Sequence, residues 1–305
     1  MRTRLLTYLI LFFSVINTFG QVMTITPVSL FDRALPYYNP AATGKEEALT
    51  ANLFYNNTTG FQGTPSTLFF TANAPLNNLK MALGVKLEHK SVGAHNFTGI
   101  FFNYAYRLQL GANKLSLALE GGIYSGSLNL PSGRDEAYDH ALDENITSST
   151  LPNFGVGALY YGKRYWISLS VPRILGIKAK ESGGFGLKVA EVARDYILAG
   201  GGNFSIDEDF GIEPAALILY NPGVKMKVLV NAMAAYKERY KAGIGYKTSG
   251  TIVFALAFDI NRQASLAYSY DFNMGEQSNY FKGAHEIHLR YTFGYKVNAT
   301  NPRGF

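Results

Sequence analysis

Segment after segment of this chain alternates apolar and polar residues, and the apolar positions are unusually aromatic. In HEIHLRYTFGYK, residues 285–296, Ile287, Leu289, Tyr291, Phe293 and Tyr295 fall on one side of an extended strand. Glu286, His288, Arg290, Thr292 and Gly294 fall on the other. QASLAYSYDF, 263–272, sets Leu266, Tyr268, Tyr270 and Phe272 opposite Ser265, Ser269 and Asp271. RYKAGIGYK, 239–247, sets Tyr240, Ala242, Ile244 and Tyr246 opposite Lys241 and Lys247. KMALGVKLEHK, 80–90, and FTGIFFNYAYRL, 97–108, repeat the pattern. A period of two is the signature of strands, so the chain is read as all-β.

A soluble sandwich also alternates, but three features point to a barrel whose apolar face meets lipid. The segments are about 9 to 12 residues long, the span of a tilted membrane strand. Tyr, Phe and the lone Trp166 recur near segment ends, as in an interfacial girdle. The polar faces mix small residues with charges of both signs, which suits a filled or wet lumen. In this register Lys80, Lys86, Glu88, Arg107, Lys114, Glu120, Lys241, Lys247, Glu286 and Arg290 point inward. Fourteen strands are predicted, the first at 46–56 and the last at 284–296, an even number as in single-chain bacterial barrels.

The connections give an independent check. The longest, near 125–152, 172–191 and 273–283, are the fifth, seventh and thirteenth, all on one end of an up-and-down barrel. The even connections, such as Tyr161-Gly162-Lys163 and Lys237-Glu238, are tight. Barrels keep short turns in the periplasm and long loops outside, so both termini are expected to be periplasmic. One transmembrane antiparallel β-barrel, a single domain over 46–296, accounts for the pattern, with a tail at 297–305.

Residues 1–20 read as a signal peptide: Arg2 and Arg4, then an apolar run from Leu5 to Ile16, then Thr18 and Gly20 before Gln21. Their removal lowers the net charge from +6 to +4. No Cys follows, so no lipoprotein is expected, and the absence of any Cys excludes disulfides and thiolate chemistry. Export to the outer membrane is the expected destination. Basic residues are scattered among strands without a stripe, which argues against nucleic acid.

Chemistry is hard to place. Asp135, Glu136, Asp139, His140, Asp143 and Glu144 crowd one loop, but without the spacing of a calcium loop, and a solvated acidic loop is the plainer reading. His288 beside Ser265 or Ser269 would be needed for a barrel hydrolase, against which a packed polar network is the plainer reading. The other histidines are His89, His95 and His285. No nucleophile elbow, phosphate loop or zinc-protease motif is present. Gly200-Gly201-Gly202 reads as a place of bending or close packing. No enzyme activity, catalytic residue, metal or cofactor is expected, and no partner-binding residue is assigned. Residues 21–45, with three prolines and Gly44, do not alternate; they read as a coil, in the lumen or on the periplasmic side.

Several stretches together resemble the PorP/SprF family of outer-membrane proteins of the type IX secretion system. YYNPAATG, 37–44, is similar to the family's N-terminal N-P-A-x-x-G signature, and Phe61 to Thr67 to the G-x-P-x-T segment that follows. PNFGVGALYYGKRYWISLSVPRIL, 152–175, resembles the family's central pattern, G-x-G…Y…LS-x-P-x-x-L. Arg194-Asp195-Tyr196, GIEPAALI at 211–218, AYSYDF at 267–272 and KGAHEIHLRYTF at 282–293 resemble later segments, with Asp195, Ala215 and Ala284 as departures. The resemblance implies a barrel component supporting export or surface attachment of proteins with a C-terminal sorting domain, some of them gliding adhesins, in Bacteroidota. It implies partners among periplasmic ring and lipoprotein subunits, besides outer-membrane lipid. The loops at 125–152 and 172–191 are the expected outer docking surface. The alternative from the residues alone is an outer-membrane channel or hydrophobic-solute transporter.

Overall fold

A computed structural model describes residues 25–294, apart from 61–62, 77–78, 129–145, 148–150, 176–180, 183–186, 189–193, 223, 276–277 and 279–280. The signal-peptide and C-terminal-tail expectations, the acidic loop, and most of the loops at 125–152 and 172–191 lie outside the described residues.

Fourteen strands form one closed antiparallel barrel. They are β1 (Thr50–Gly60), β2 (Ser66–Pro75), β3 (Met81–Val92), β4 (His95–Leu110), β5 (Asn113–Leu128), β6 (Leu151–Tyr161) and β7 (Tyr165–Val171). β8 (Tyr196–Gly202), β9 (Phe210–Asn221), β10 (Val224–Tyr236), β11 (Tyr240–Lys247), β12 (Thr251–Asp259), β13 (Ala264–Asn273) and β14 (Phe281–Thr292) complete it. Each strand pairs with its neighbours in sequence, and β1 pairs with β14 from Thr50↔Thr292 onward, which closes the sheet. Among the described residues no helix is long and apolar enough to cross a membrane; the strands do the crossing.

The lipid face follows the alternation. On β14, Ile287, Leu289 and Tyr291 are exposed while Glu286 and His288 are buried. On β4, Ile100, Phe102, Tyr104 and Tyr106 point out and Asn103 and Arg107 point in. A hydrocarbon solvent selects this pattern, because an apolar side chain on the outside loses nothing there and a charge costs several kcal/mol. Aromatic neighbours ring one end: Phe210, Tyr236, Tyr240 and Phe258 succeed one another at centroid spacings of 5.0, 6.5 and 5.2 Å.

Two expectations are corrected. Lys80 does not point into the lumen; β3 starts one residue later, which leaves Lys80 exposed in the preceding turn. Trp166 is no girdle residue. It is partly buried against the interior clusters, and a Cβ on Gly201 would lie 2.9 Å from its indole, so the glycine run makes room for a ring. The first described residue lies at the far end of the barrel from the start of β1. Ile25 N donates to Asp195 Oδ2 at 2.9 Å, next to the start of β8 at the end of the long connections. β1 starts at the opposite end, among the tight turns.

Candidate functional site

The lumen is occupied by the chain's own N-terminal segment. Residues 25–44 run from the loop end to the turn end inside the barrel, through turns, the one-turn helix α1 (Leu35–Tyr38) and a 3-10 turn (Pro40–Ala42). Ile25, Val28, Leu30, Phe31, Leu35, Tyr37, Tyr38, Ala41 and Ala42 are all at most 3% exposed. A barrel of this strand number needs such filling to be closed, since eight strands are filled by their own side chains and sixteen leave a channel.

The plug has two apolar seats. Ile25, Val28, Leu30, Phe31 and Ala34 pack with Ile197, Leu217, Leu229 and Met233 on β8–β10. Leu35, Ala41 and Ala42 pack with Ala82, Ala105, Ala118 and Leu159 on β3–β6. Between them a ring column crosses from plug to wall. Tyr37 stacks on Phe69 with centroids 4.0 Å apart, and Phe69 stacks on Phe54 at 4.8 Å.

Charges pair across the interior. Arg173 Nη2 grips Glu88 at 3.1 and 3.0 Å, and the Tyr37 hydroxyl donates to the same carboxylate at 2.8 Å. Lys86 Nζ lies 2.7 Å from Glu120 and 4.6 Å from the Phe101 ring centroid. Ser29 donates its N–H to both oxygens of Glu286, at 2.9 and 2.8 Å, and its hydroxyl to Asp271 at 2.5 Å. Lys247 Nζ closes this second cluster, 2.5 Å from Asp271 and 3.1 Å from the Pro27 carbonyl. Burial pushes the Tyr37 and Tyr38 hydroxyls well above the ordinary tyrosine range, so both remain donors. Tyr38 uses its proton on the Thr26 carbonyl and accepts from Val28 N, which folds the plug back on itself.

The motif residues meet in this interface. Asn39 Oδ1 accepts from Ala41 N at 2.8 Å, capping the 3-10 turn, while its Nδ2 reaches Ala158 O and Ser168 Oγ at 2.9 and 2.7 Å. Gly157 gives that side chain its room: a Cβ there would lie 1.9 Å from Asn39 Oδ1. Ser170 Oγ donates to Tyr38 O at 2.8 Å. Gly44 ends the plug at φ 71, donating to Asn73 Oδ1 and accepting from Arg107 Nη1, both at 2.8 Å. Thr67 meets Thr26, and Ser269 donates to Glu286.

Of the ten residues expected inside, Lys86, Glu88, Arg107, Glu120, Lys247 and Glu286 are buried. Lys241, paired with Glu213, and Lys114 and Arg290, paired with Glu47 and Asp259, face inward nearer the rim. His288 Nε2 meets Asn52 at 3.2 Å, while Ser269 is engaged with Glu286. Sequence reasoning missed the interior aromatics Phe54, Phe69 and Phe101; Phe101 sits on the face of 97–108 read as polar, and no face was assigned to the strands of the other two. It also left unassigned Arg173, a central partner of Glu88.

The family model for type IX secretion system membrane protein PorP/SprF matches residues 23–291. The chain belongs to the PorP/SprF family. That match takes in both the plug and all but the last residue of β14, so the family unit is the filled barrel. No curated protein matches the chain. Among solved structures, a Pseudomonas aeruginosa FadL homologue is 12% identical, with a TM-score of 0.50, over 90% of this chain and all of that one. The Pseudomonas putida toluene transporter TodX is 10% identical, TM-score 0.47, over 85% of this chain and 93% of that one. Outer membrane protein Omp33 of Acinetobacter baumannii is 7% identical, TM-score 0.45, over 80% and 96%. The FadL homologue supports the outer-membrane barrel fold and nothing beyond it.

Proposed function

We propose that this PorP/SprF barrel works as a closed docking platform of the type IX system rather than as a conduit. The observation that carries this reading is the plug: residues 25–44 fill the lumen and are pinned to opposite walls at Glu88, Glu286, Ser168 and Arg107. Cargo with a C-terminal sorting domain then engages the loop end from outside, and the periplasmic ring and lipoprotein subunits engage the turn end. Neither role asks for a catalytic group. A solute-transporter reading requires the plug to leave, against both apolar seats and both charge clusters.

Two experiments test the proposal. A mild-detergent pull-down of the tagged protein from native outer membranes should recover ring subunits or a surface protein with a sorting domain. A bare monomer would defeat the docking role. Orientation is tested by single cysteines, which are clean because the chain has none. Ser249→Cys at the loop end should react with an impermeant maleimide on intact cells, and Glu238→Cys at the turn end only after permeabilisation. The reverse pattern would invert the assignment of partners to ends.

A further inference from the structure

On the lipid face of β10–β13 the barrel wall is dented. Ala234 and Ala242 face each other across the β10–β11 pair, and both are exposed. In the adjoining rungs, Tyr236 faces Tyr240 and Leu256 faces Tyr268. Two small residues beside tall ones leave a hollow of about 670 Å³, whose walls include Leu256, Phe258 and Tyr268 and whose surface is almost wholly apolar. Of the inward residues beneath it, Ala235, Ala257 and Ala267 are small as well, while Lys241 turns its ammonium inward to Glu213.

The hollow ends at the aromatic ring of the turn end, where charges of both signs gather. Arg239 lies over the Tyr240 and Phe258 rings, 5.7 and 5.0 Å from their centroids. Its Nε and Nη2 hold the carbonyls of Asp259 and Ile260 at 3.2 Å, which fixes the guanidinium beside the hollow. Lys237 stands over Tyr236 at 5.3 Å, within 4.0 Å of Asp209, and Glu238 completes the turn.

We infer that this hollow is a specific site for a phospholipid with a zwitterionic, ammonium-bearing headgroup of the phosphatidylethanolamine class. An apolar dent on a membrane face is filled by the acyl tails of lipid. The cation pair Arg239 and Lys237 suits the phosphate, and Glu238 and Asp209 suit the ammonium. The site is continuous with the lipid-facing surface, and its headgroup end lies at the girdle, where headgroups reside. That the lipid comes from the periplasmic leaflet rests on the orientation proposed above; the binding does not.

Native mass spectrometry of the delipidated protein, re-exposed separately to phosphatidylethanolamine, phosphatidylglycerol and lipid A, tests the site. The wild type should retain one phosphatidylethanolamine under activation that strips phosphatidylglycerol. Ala242→Leu, which fills the floor, should lower the retained fraction about tenfold while the protein keeps its heat-modifiable gel mobility. Ala234→Leu fills the same floor from the facing strand and serves if Ala242→Leu does not fold. Arg239→Gln should abolish the headgroup preference. Equal retention by wild type and both floor variants would reduce the lipid to ordinary annular contact. Preferential retention of phosphatidylglycerol or lipid A would overturn the headgroup assignment.

Discussion

Asn39 and Gly157 show how one contact fixes the plug. The asparagine side chain serves as both cap and wall anchor, and only a glycine opposite leaves it space. Gly157→Ala should expel Asn39 from its seat and leave buried polar groups unpaired, at a cost of about 1–3 kcal/mol. The same change at Gly111 is a useful contrast: there a Cβ would meet nothing within 4 Å, and the cost comes from the positive φ of 61 alone. Limited proteolysis should then cut residues 25–44 in Gly157→Ala but not in Gly111→Ala. Equal protection in both would show that Asn39 does not hold the plug. At this scale the sequence is only partly legible. The motif Asn39-Pro40-Ala41 stands out, but its partner lies 118 residues away, and no local pattern pairs them.

Among the strands, the outer faces were readable and the inner faces only in their charges, for one physical reason. Lipid demands apolar side chains everywhere outside, so each strand announces that face by the same rule. The inner face answers to the plug, whose chemistry changes along its length. Where it brings Tyr37 and Ser29, the wall offers Glu88 and Glu286. Where it brings Leu30 and Phe31, the wall offers Leu217 and Leu229, and alternation on β9 and β10 is lost. β3 therefore carries two buried ion-pair partners, Lys86 and Glu88. Glu88→Ala leaves Arg173 buried without its carboxylate and should cost about 3–5 kcal/mol. Glu88→Leu combined with Arg173→Met should cost less than Glu88→Ala alone, because the uncompensated charge is gone. Urea unfolding midpoints of the three proteins in detergent decide it. A loss in the pair as large as that of Glu88→Ala would mean that the uncompensated charge is not what the single change costs.

The whole molecule joins a membrane wall legible from period-two alternation to a plug whose place the alternation could not give. Residues 21–45 carry no strand signal, and their prolines and Gly44 fit a coil outside the barrel as well as one inside. What decides is volume. Fourteen strands enclose more space than their own side chains fill, and most of the inward residues on β3–β6 that meet α1 and the 3-10 turn are alanines, too short to meet one another. The plug is therefore structural filling and barrier together, and the barrier can be measured. In planar bilayers the intact protein should show no steady conductance. Deleting residues 25–44 should open a pore, and adding the 25–44 peptide on one side should close it again, since Leu35, Ala41 and the ring of Tyr37 have preformed seats. Block from only one side would further report which mouth admits the peptide. Steady conductance of the intact protein would show that the plug leaves its seats in the membrane, and the docking platform would give way to a channel.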